Sequence, residues 1–474
     1  MIPLSVAQLT TVVRGEPHDI PPDPPSVTGP VVIDSRRVEP GSLFAALPGE
    51  RVDGHDFAAG AVADGAALVL ASRPVGVPAV VVDDVVGALS ALAAHLVRAL
   101  DPAVVALTGS AGKTSTKDLI AQLLRRVGPT VWTPGSFNNE IGLPLTVLGA
   151  DETTRYLVLE MGARGVGHIR DLTALTPPRI GAVLNVGTAH LGEFGSREAI
   201  AQAKGELVEA LPAAADGGVA VLNADDPLVR AMSERTAARV VLFGESPEAA
   251  IRAENVRLTP EGRPAFTLST PTGCADVTMR LYGEHHVSNA LAAAAVAHEV
   301  GMPVPAIAEA LAEAGPLSRW RMEVTERADG VVIVNDAYNA NPDSMRAALR
   351  TLVHMGAARP AGARTWAVLG EMAELGDDAF AEHDAVGRLA VRLNVNRLVS
   401  VGGREAAWLD MGAKNEGSWG EESVRVSDAQ AAVELLRGQL RPGDIVLVKA
   451  SRAVGLEQVA LQLAADTDGE VAAR

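Results

Sequence analysis

The stretch VALTGSAGKTSTK, Val105–Lys117, decides how this chain is read. An apolar strand enters a glycine turn, the turn enters a Lys-Thr pair, and that pair opens a helical stretch. Gly109 and Gly112 let backbone N–H groups face a phosphate at the helix start. In that arrangement Lys113 reaches the β- and γ-phosphates and the Thr114 hydroxyl reaches Mg²⁺. The nucleotide-facing segment is expected to run through Thr108, Gly109, Ser110, Ala111, Gly112, Lys113, Thr114 and Ser115. The spacing departs from G-x-x-x-x-G-K-[ST], since Leu107 stands where the first glycine belongs. An ordinary strand-to-helix turn rarely carries Gly-Lys-Thr, so a phosphate loop is the better reading.

Two strand ends lie downstream. Glu160 closes YLVLE, and His190 follows AVLNV. Ligands of a parallel sheet gather beyond the carboxyl ends of its strands, so Thr114, Glu160 and His190 are expected to converge. A carboxylate there suits Mg²⁺. A histidine is a less natural ligand for that ion, and a hydrogen-bonded loop histidine is an equally open reading of His190.

Around this core the chain divides into three parts, residues 1–100, 101–317 and 318–474. The first holds an amphipathic helix, strand-like VVIDS and LFAAL, and a helix from Val85 to Leu100 before a DP linker. The second alternates buried strands such as RYLVLEMG and RIGAVLNVG with helices, then changes to short strands over Ala249–Gly283, followed by an alanine-rich helix. The third alternates again, through GVVIVND, TWAVLG, RLVSVG and DIVLVKA, with Asn341 capping a helix that has Pro342 in its first turn. The fold class expected is α/β in three domains: a small α/β domain, a central phosphate-loop domain with a mostly parallel sheet, and a C-terminal dinucleotide-fold (Rossmann-like) domain.

Composition narrows the function. The formal net charge of −17 argues against a general binder of nucleic-acid backbones, and 3% aromatics leave little for base stacking. Cys274 is the only cysteine, so no internal disulfide or thiolate metal cluster forms. MIPLSVAQLTTVV has no basic residue ahead of its apolar part, and Asp83, Asp84 and His95 interrupt the longest apolar run. A soluble cytoplasmic protein without membrane insertion, acting as a monomer, is the expectation.

Further polar stretches stand beyond apolar strands. GSFNNEIGLPLT packs Asn138, Asn139 and Glu140 beside glycines, and NDAYNANPDS follows a buried strand. Both also suit plain turns. REAIAQAKGELVEAL reads as a helix carrying Lys204, and composition assigns a lone helical lysine to solvent.

Taken in order, TGSAGKTSTK, SFNNEIGLPLT, HLGEFGSREAIAQAKGEL, GEHHVSNALAAAA, NDAYNANPDSMRAAL, LGEMAELG and LVKASR resemble the Mur ligases of peptidoglycan synthesis. The resemblance covers nearly the whole chain. Within the family, NNEIGLPLT and YNANP resemble the branch that joins D-alanyl-D-alanine to UDP-N-acetylmuramoyl-tripeptide, rather than sibling or folylpolyglutamate-type ligases. It implies a UDP-binding first domain, a central ATPase domain and a third domain that closes on it. It implies ATP as co-substrate, transfer of the γ-phosphoryl group to a carboxylate, and attack on the acyl phosphate by the dipeptide amine. Two Mg²⁺ ions are implied, one near Thr114 and one held by Glu160 and His190. Lys204 matches the family lysine that CO₂ carbamylates to an anionic metal ligand. Asn289 matches the adenine contact, and Arg321 and Asp336 match ATP contacts from the junction and third domain. DSRRVEPGSLFAALPG resembles the uridine segment, with Ser35 and Arg36 as its candidates. Lys449, Ser451 and Arg452 resemble a stretch near the incoming dipeptide, where Ala450 replaces the usual glycine. A nucleotide switch protein is the rival from another class; it needs no UDP-binding domain, and the chain shows no N-K-x-D guanine-reading segment.

Overall fold

A computed structural model describes residues 2–49, 52–188, 191–418 and 420–465. Three sheets organise them. The first has five strands, in the order Glu16–His18, Ala79–Val81, Leu68–Ala71, Leu43–Ala45, Val31–Val32, with only the first pair antiparallel. Strand-like VVIDS is thus shorter than its pattern: after Val32 the chain turns into a 3-10 turn, Ser35–Arg37, capped by Asp34.

The central sheet has nine strands. Its parallel body places Ala103–Thr108 between Tyr156–Glu160 and Ile180–Val183, all nearly fully buried because helices cover both faces. The antiparallel edge, Ile251–Leu258, Pro264–Thr270 and Gly273–Thr278, is the helix-free region whose pattern changes in sequence. The alanine-rich helix runs His286–Glu299, two residues ahead of the SNALAAAA pattern, and buries Ala290 through Ala297. Alanine favours the helix while its small side chain lets the backbone lie close to the sheet. Thr130–Trp132 adds an edge strand that its short, half-buried pattern does not announce.

The third sheet has six strands, in the order Glu323–Glu326, Val332–Asn335, Ile445–Lys449, Thr365–Leu369, Arg397–Val401, Ser423–Val426, parallel except for the first pair. Asn341 caps the helix Pro342–Ala357, its side chain accepting from Ser344 N at 2.9 Å. The α/β architecture in three sheet-bearing parts is the one expected.

Packing is less modular than the linker DP implies. Leu89, Leu92 and Leu96 of the helix Val85–Leu100 share one apolar cluster with Leu143, Val147 and Leu157 of the central part. The third part meets the central one through polar contacts: Asp118 Oδ2 accepts from Ser318 N at 3.0 Å, and Thr114 Oγ1 from Arg321 Nη2 at 3.1 Å. Among the described residues no helix is long and apolar enough to cross a membrane.

Candidate active site

The phosphate loop follows the strand Ala103–Thr108 and opens the helix Lys113–Leu124. Gly112 sits at φ +79 as its N-cap, and a Cβ there would meet Asn289 Oδ1 at 2.5 Å. Glycine is thus required twice over, for the left-handed backbone and for the close approach of Asn289. Asn185, just beyond the strand Ile180–Val183, fixes the loop: its Oδ1 accepts from Ser110 N and Ala111 N, both at 2.9 Å, and its Nδ2 donates to Ala111 O at 3.1 Å. Sequence reasoning passed over Asn185, although it stands at a strand end in VLNVG.

A cavity of about 990 Å³ opens over this loop. Ser110, Ala111, Gly112, Lys113, Thr114 and Ser115 line it, while Thr108 and Gly109 stand behind it in the strand and turn. Lys113 Nζ donates to Gly109 O at 2.7 Å. Burial pulls its ammonium below the ordinary lysine value, opposed by Glu160 and reinforced by Arg321.

Glu160, 1% exposed, ends its strand facing the cavity. Its Oε1 accepts from Asn138 Nδ2 at 2.6 Å, and its backbone N–H donates to Thr133 Oγ1 at 3.1 Å. Among the described residues Glu160 Oε2 is buried with no hydrogen-bond partner, as are Ser110 Oγ and Thr108 Oγ1. An unpartnered buried carboxylate oxygen beside a phosphate loop fits a hard cation. No group of three or more His, Cys, Asp or Glu is gathered around such a position among the described residues. A single unpartnered carboxylate oxygen, Glu160 Oε2, fits Mg²⁺, which takes few protein carboxylates and completes its shell with water and phosphate oxygens. His190 lies outside the described residues. Asn139 lines the cavity too, and its Oδ1 accepts from Gly142 N at 2.9 Å at the start of the helix Gly142–Val147.

Lys204 is 4% exposed and lines the cavity, not the solvent face that composition assigns it. Its helix, Arg197–Glu209, starts at Ser196, whose Oγ accepts from Ala199 N at 3.1 Å. Ile200, Ala203, Lys204, Leu207 and Val208 are all buried, a spacing that makes one apolar stripe. A lysine on a stripe otherwise apolar is the signal that a search by composition overlooks. Burial, with Lys113 adding to it, pushes the Lys204 amine well below the ordinary lysine value.

The third part completes the wall. Arg321 Nη2 donates to Thr114 Oγ1 at 3.1 Å, and its Nε is buried with no partner among the described residues. Asp336 accepts from Met322 N at 3.1 Å and from Lys449 Nζ at 2.6 Å; Lys449 also donates to Asn339 O at 2.9 Å. Burial lowers Lys449 against the pull of Asp336. Ser451 Oγ accepts from Ala373 N at 2.9 Å, holding the GEMAEL loop against the cavity. Arg452 reaches the rim, paired with Glu457 at 2.7 Å and lying over the Trp320 ring at 4.4 Å. Asn289 stands at the inner end, 6% exposed.

The structure thus gathers around one cavity Lys113, Thr114, Glu160, Lys204, Asn138, Asn139, Asn289, Arg321, Asp336, Lys449, Ser451 and Arg452. It does not bring Ser35 or Arg36 there: neither lines the cavity, and the exposed Arg36 pairs with Asp34 at 2.8 Å. His285 and Tyr338 line it and were not singled out from sequence. Burial pushes His285 down to about 4, Asp336 favouring and Lys449 opposing its charged form.

A phosphate loop, a carboxylate with a free oxygen, a buried amine and an arginine from another part of the chain make a site for phosphoryl transfer between anions. Known proteins place that site in a family. Residues 30–104 match the catalytic domain of the Mur ligase family, residues 107–297 the Mur ligase middle domain, and residues 320–452 the Mur ligase glutamate ligase domain. The chain belongs to the Mur ligase family, a class of ATP-dependent, ADP-forming ligases. Within it, the chain is 52% identical to the UDP-N-acetylmuramoyl-tripeptide–D-alanyl-D-alanine ligase of Mycobacterium tuberculosis, over 98% of each chain. A crystal structure of MurF from Acinetobacter baumannii superposes with a TM-score of 0.85 at 32% identity, covering 98% of this chain and 99% of that one. MurF from Thermotoga maritima in complex with ADP superposes with a TM-score of 0.79 at 29% identity, covering 93% and 98%.

Proposed function

We propose that this chain joins D-alanyl-D-alanine to UDP-N-acetylmuramoyl-tripeptide with cleavage of ATP to ADP and phosphate. The observation that carries the reading is the single cavity in which Lys113, Glu160 and Lys204 of the central part face Arg321, Asp336 and Lys449 of the third. Relatives aligned over 98% of the chain bear that activity in their names. The division at residues 100 and 317 assigns the UDP-muramoyl moiety to the first part, with Ser35 and Arg36 at the uridine, ATP to the second, and the incoming dipeptide to the third.

The substrate carboxylate attacks the γ-phosphorus and ADP leaves. The dipeptide amine then attacks the acyl-phosphate carbonyl, loses a proton on forming the amide, and expels inorganic phosphate. Carboxylate and γ-phosphate repel each other, so the site must present positive charge where they meet. Thr114 would hold one Mg²⁺ and Glu160 with His190 a second, and such ions would supply part of that charge. Lys113 and Arg321 supply the rest from the chain itself. Burial pushes the Lys204 amine well below the ordinary lysine value, which favours the neutral form that adds CO₂ with loss of a proton, and its carbamate would give an anionic oxygen in the cavity that Glu160 also lines. Asn289 reads the adenine, and Asn138 and Asn139 flank the muramoyl peptide. Lys449, Ser451 and Arg452 approach the dipeptide. With the third part closed, the acyl phosphate is shielded from water. Such chemistry belongs in the cytoplasm, where ATP is found, and one chain holds every group it needs, so a monomer suffices.

The test is phosphate release from ATP with UDP-N-acetylmuramoyl-tripeptide, with and without D-alanyl-D-alanine. Sustained turnover is expected only with both peptides. Vigorous ATP hydrolysis with neither would overturn the ligase reading in favour of a nucleotide switch.

A further inference from the structure

We infer that Tyr338 is a positioning residue that seats Arg321 for phosphoryl transfer, an inference that rests on the ligase reading above. The Arg321 guanidinium lies over the Tyr338 ring, 4.3 Å from its centroid, with Nη2 on Thr114 Oγ1. Guanidinium stacked on an aromatic face is held in plane as well as in place. The backbone that presents Arg321 is strained on both sides: Trp320 has φ +60 and Met322 φ +51, left-handed conformations that side-chain-bearing residues rarely adopt. Surrounding bonds hold this strain. Tyr338 N donates to Trp320 O at 3.3 Å, and Met322 N donates to the Asp336 carboxylate at 3.1 Å. The segment Asp336–Tyr338 therefore grips the junction on either side of Arg321 while its ring supports the guanidinium.

The Tyr338 hydroxyl reaches further. It is hydrogen-bonded to Ser136, in the loop that carries Asn138 and Asn139. Tyr338 comes from the third part, just after the strand Val332–Asn335, and Ser136 and Thr114 from the central one. One side chain thus links the third part, the Asn-rich loop and the arginine at the phosphate loop. Arg321 reaches its working orientation when that seat is in place. The effect of Tyr338 passes through Arg321, whose guanidinium it carries.

The test is a double-mutant cycle on the full chain, read as the Kd of Mg²⁺–adenosine 5′-(β,γ-imido)triphosphate by calorimetry, beside kcat and KM for ATP in ligation. Tyr338→Leu is expected to raise the analogue Kd about tenfold, the order associated with losing a partly buried cation–π contact. Tyr338→Phe, which keeps the ring, should stay within about threefold of wild type. In an Arg321→Ala background, adding Tyr338→Leu should change the Kd by less than about twofold, because the group it acts through is gone. Effects that multiply in the double variant, or a Phe variant as weak as the Leu variant, overturn the inference. Because the cycle is read in binding, it holds even for a preparation that binds the analogue but fails to ligate; that failure would count against the ligase reading alone.

Discussion

Arg321 Nη2 stands 3.1 Å from Thr114 Oγ1, joining residues 207 positions apart across the boundary between the third and central parts. The contact exists only while the third part lies on the phosphate loop. Arg321 is therefore the group through which the start of the third part meets the phosphate loop.

Closure is measurable. In solution scattering, saturating Mg²⁺–ATP analogue with UDP-N-acetylmuramoyl-tripeptide should lower the radius of gyration relative to the protein alone. Arg321→Ala should leave a broader distribution under the same conditions. Identical profiles for the two proteins would show that Arg321 has no part in holding the closed state.

Lys113→Ala removes a cation from the transferring phosphoryl group, and kcat is expected to fall by on the order of 10³-fold or more. The same substitution removes a buried ammonium that burial already destabilises, so the fold should tolerate it. Near-normal turnover with an unchanged melting curve would assign the loop another role.

Lys204→Ala should abolish most ligation. The substitution deletes a buried amine along with its methylenes, and Tm should move by only a few degrees. Acetate, a short carboxylate, is expected to restore part of the activity, whereas Lys204→Arg should stay inactive because a guanidinium forms no carbamate. Wild-type activity in Lys204→Arg would rule the carbamate out.

His285 predicts an acid-side loss of stability. Its folded value of about 4 lies below the ordinary 6.5. Between those values the unfolded chain takes up a proton that the folded chain refuses, so stability falls as pH drops through this window. Asp336 and Lys449 face the imidazole with opposite effect, and His286, whose ring lies 4.3 Å away, is itself pushed well below the ordinary histidine value by burial. His285→Gln should flatten the decline between pH 6.5 and 4, an effect of up to roughly 3 kcal/mol by linkage. Urea midpoints at pH 7 and 4.5 for the two proteins give the measurement; parallel declines would mean the histidine carries no such load.

Reading the chain in order was enough wherever one local pattern fixes one local geometry. Gly112, Lys113 and Thr114 are adjacent, so the turn that aims their N–H groups and side chains is written in consecutive residues. Buried strands such as Tyr156–Glu160 are continuous apolar runs, and Asn341-Pro342 announces its helix by capping chemistry alone. Those signals suffice for three α/β parts and a phosphate site, and the ordered run of family stretches carries the rest of the functional expectation. Short half-buried strands such as Thr130–Trp132 escape this reading, because too few residues express a period. Tertiary structure alone decided what faces what. Lys204 looks like a surface lysine until its helix is docked and its stripe turns inward. Asn185 becomes the brace of the phosphate loop, and Tyr338 the seat of Arg321, only when distant strands stand side by side. Burial, charge pairing and the strain at Trp320 and Met322 are properties of surroundings assembled from all over the chain, and no stretch of residues contains its own surroundings.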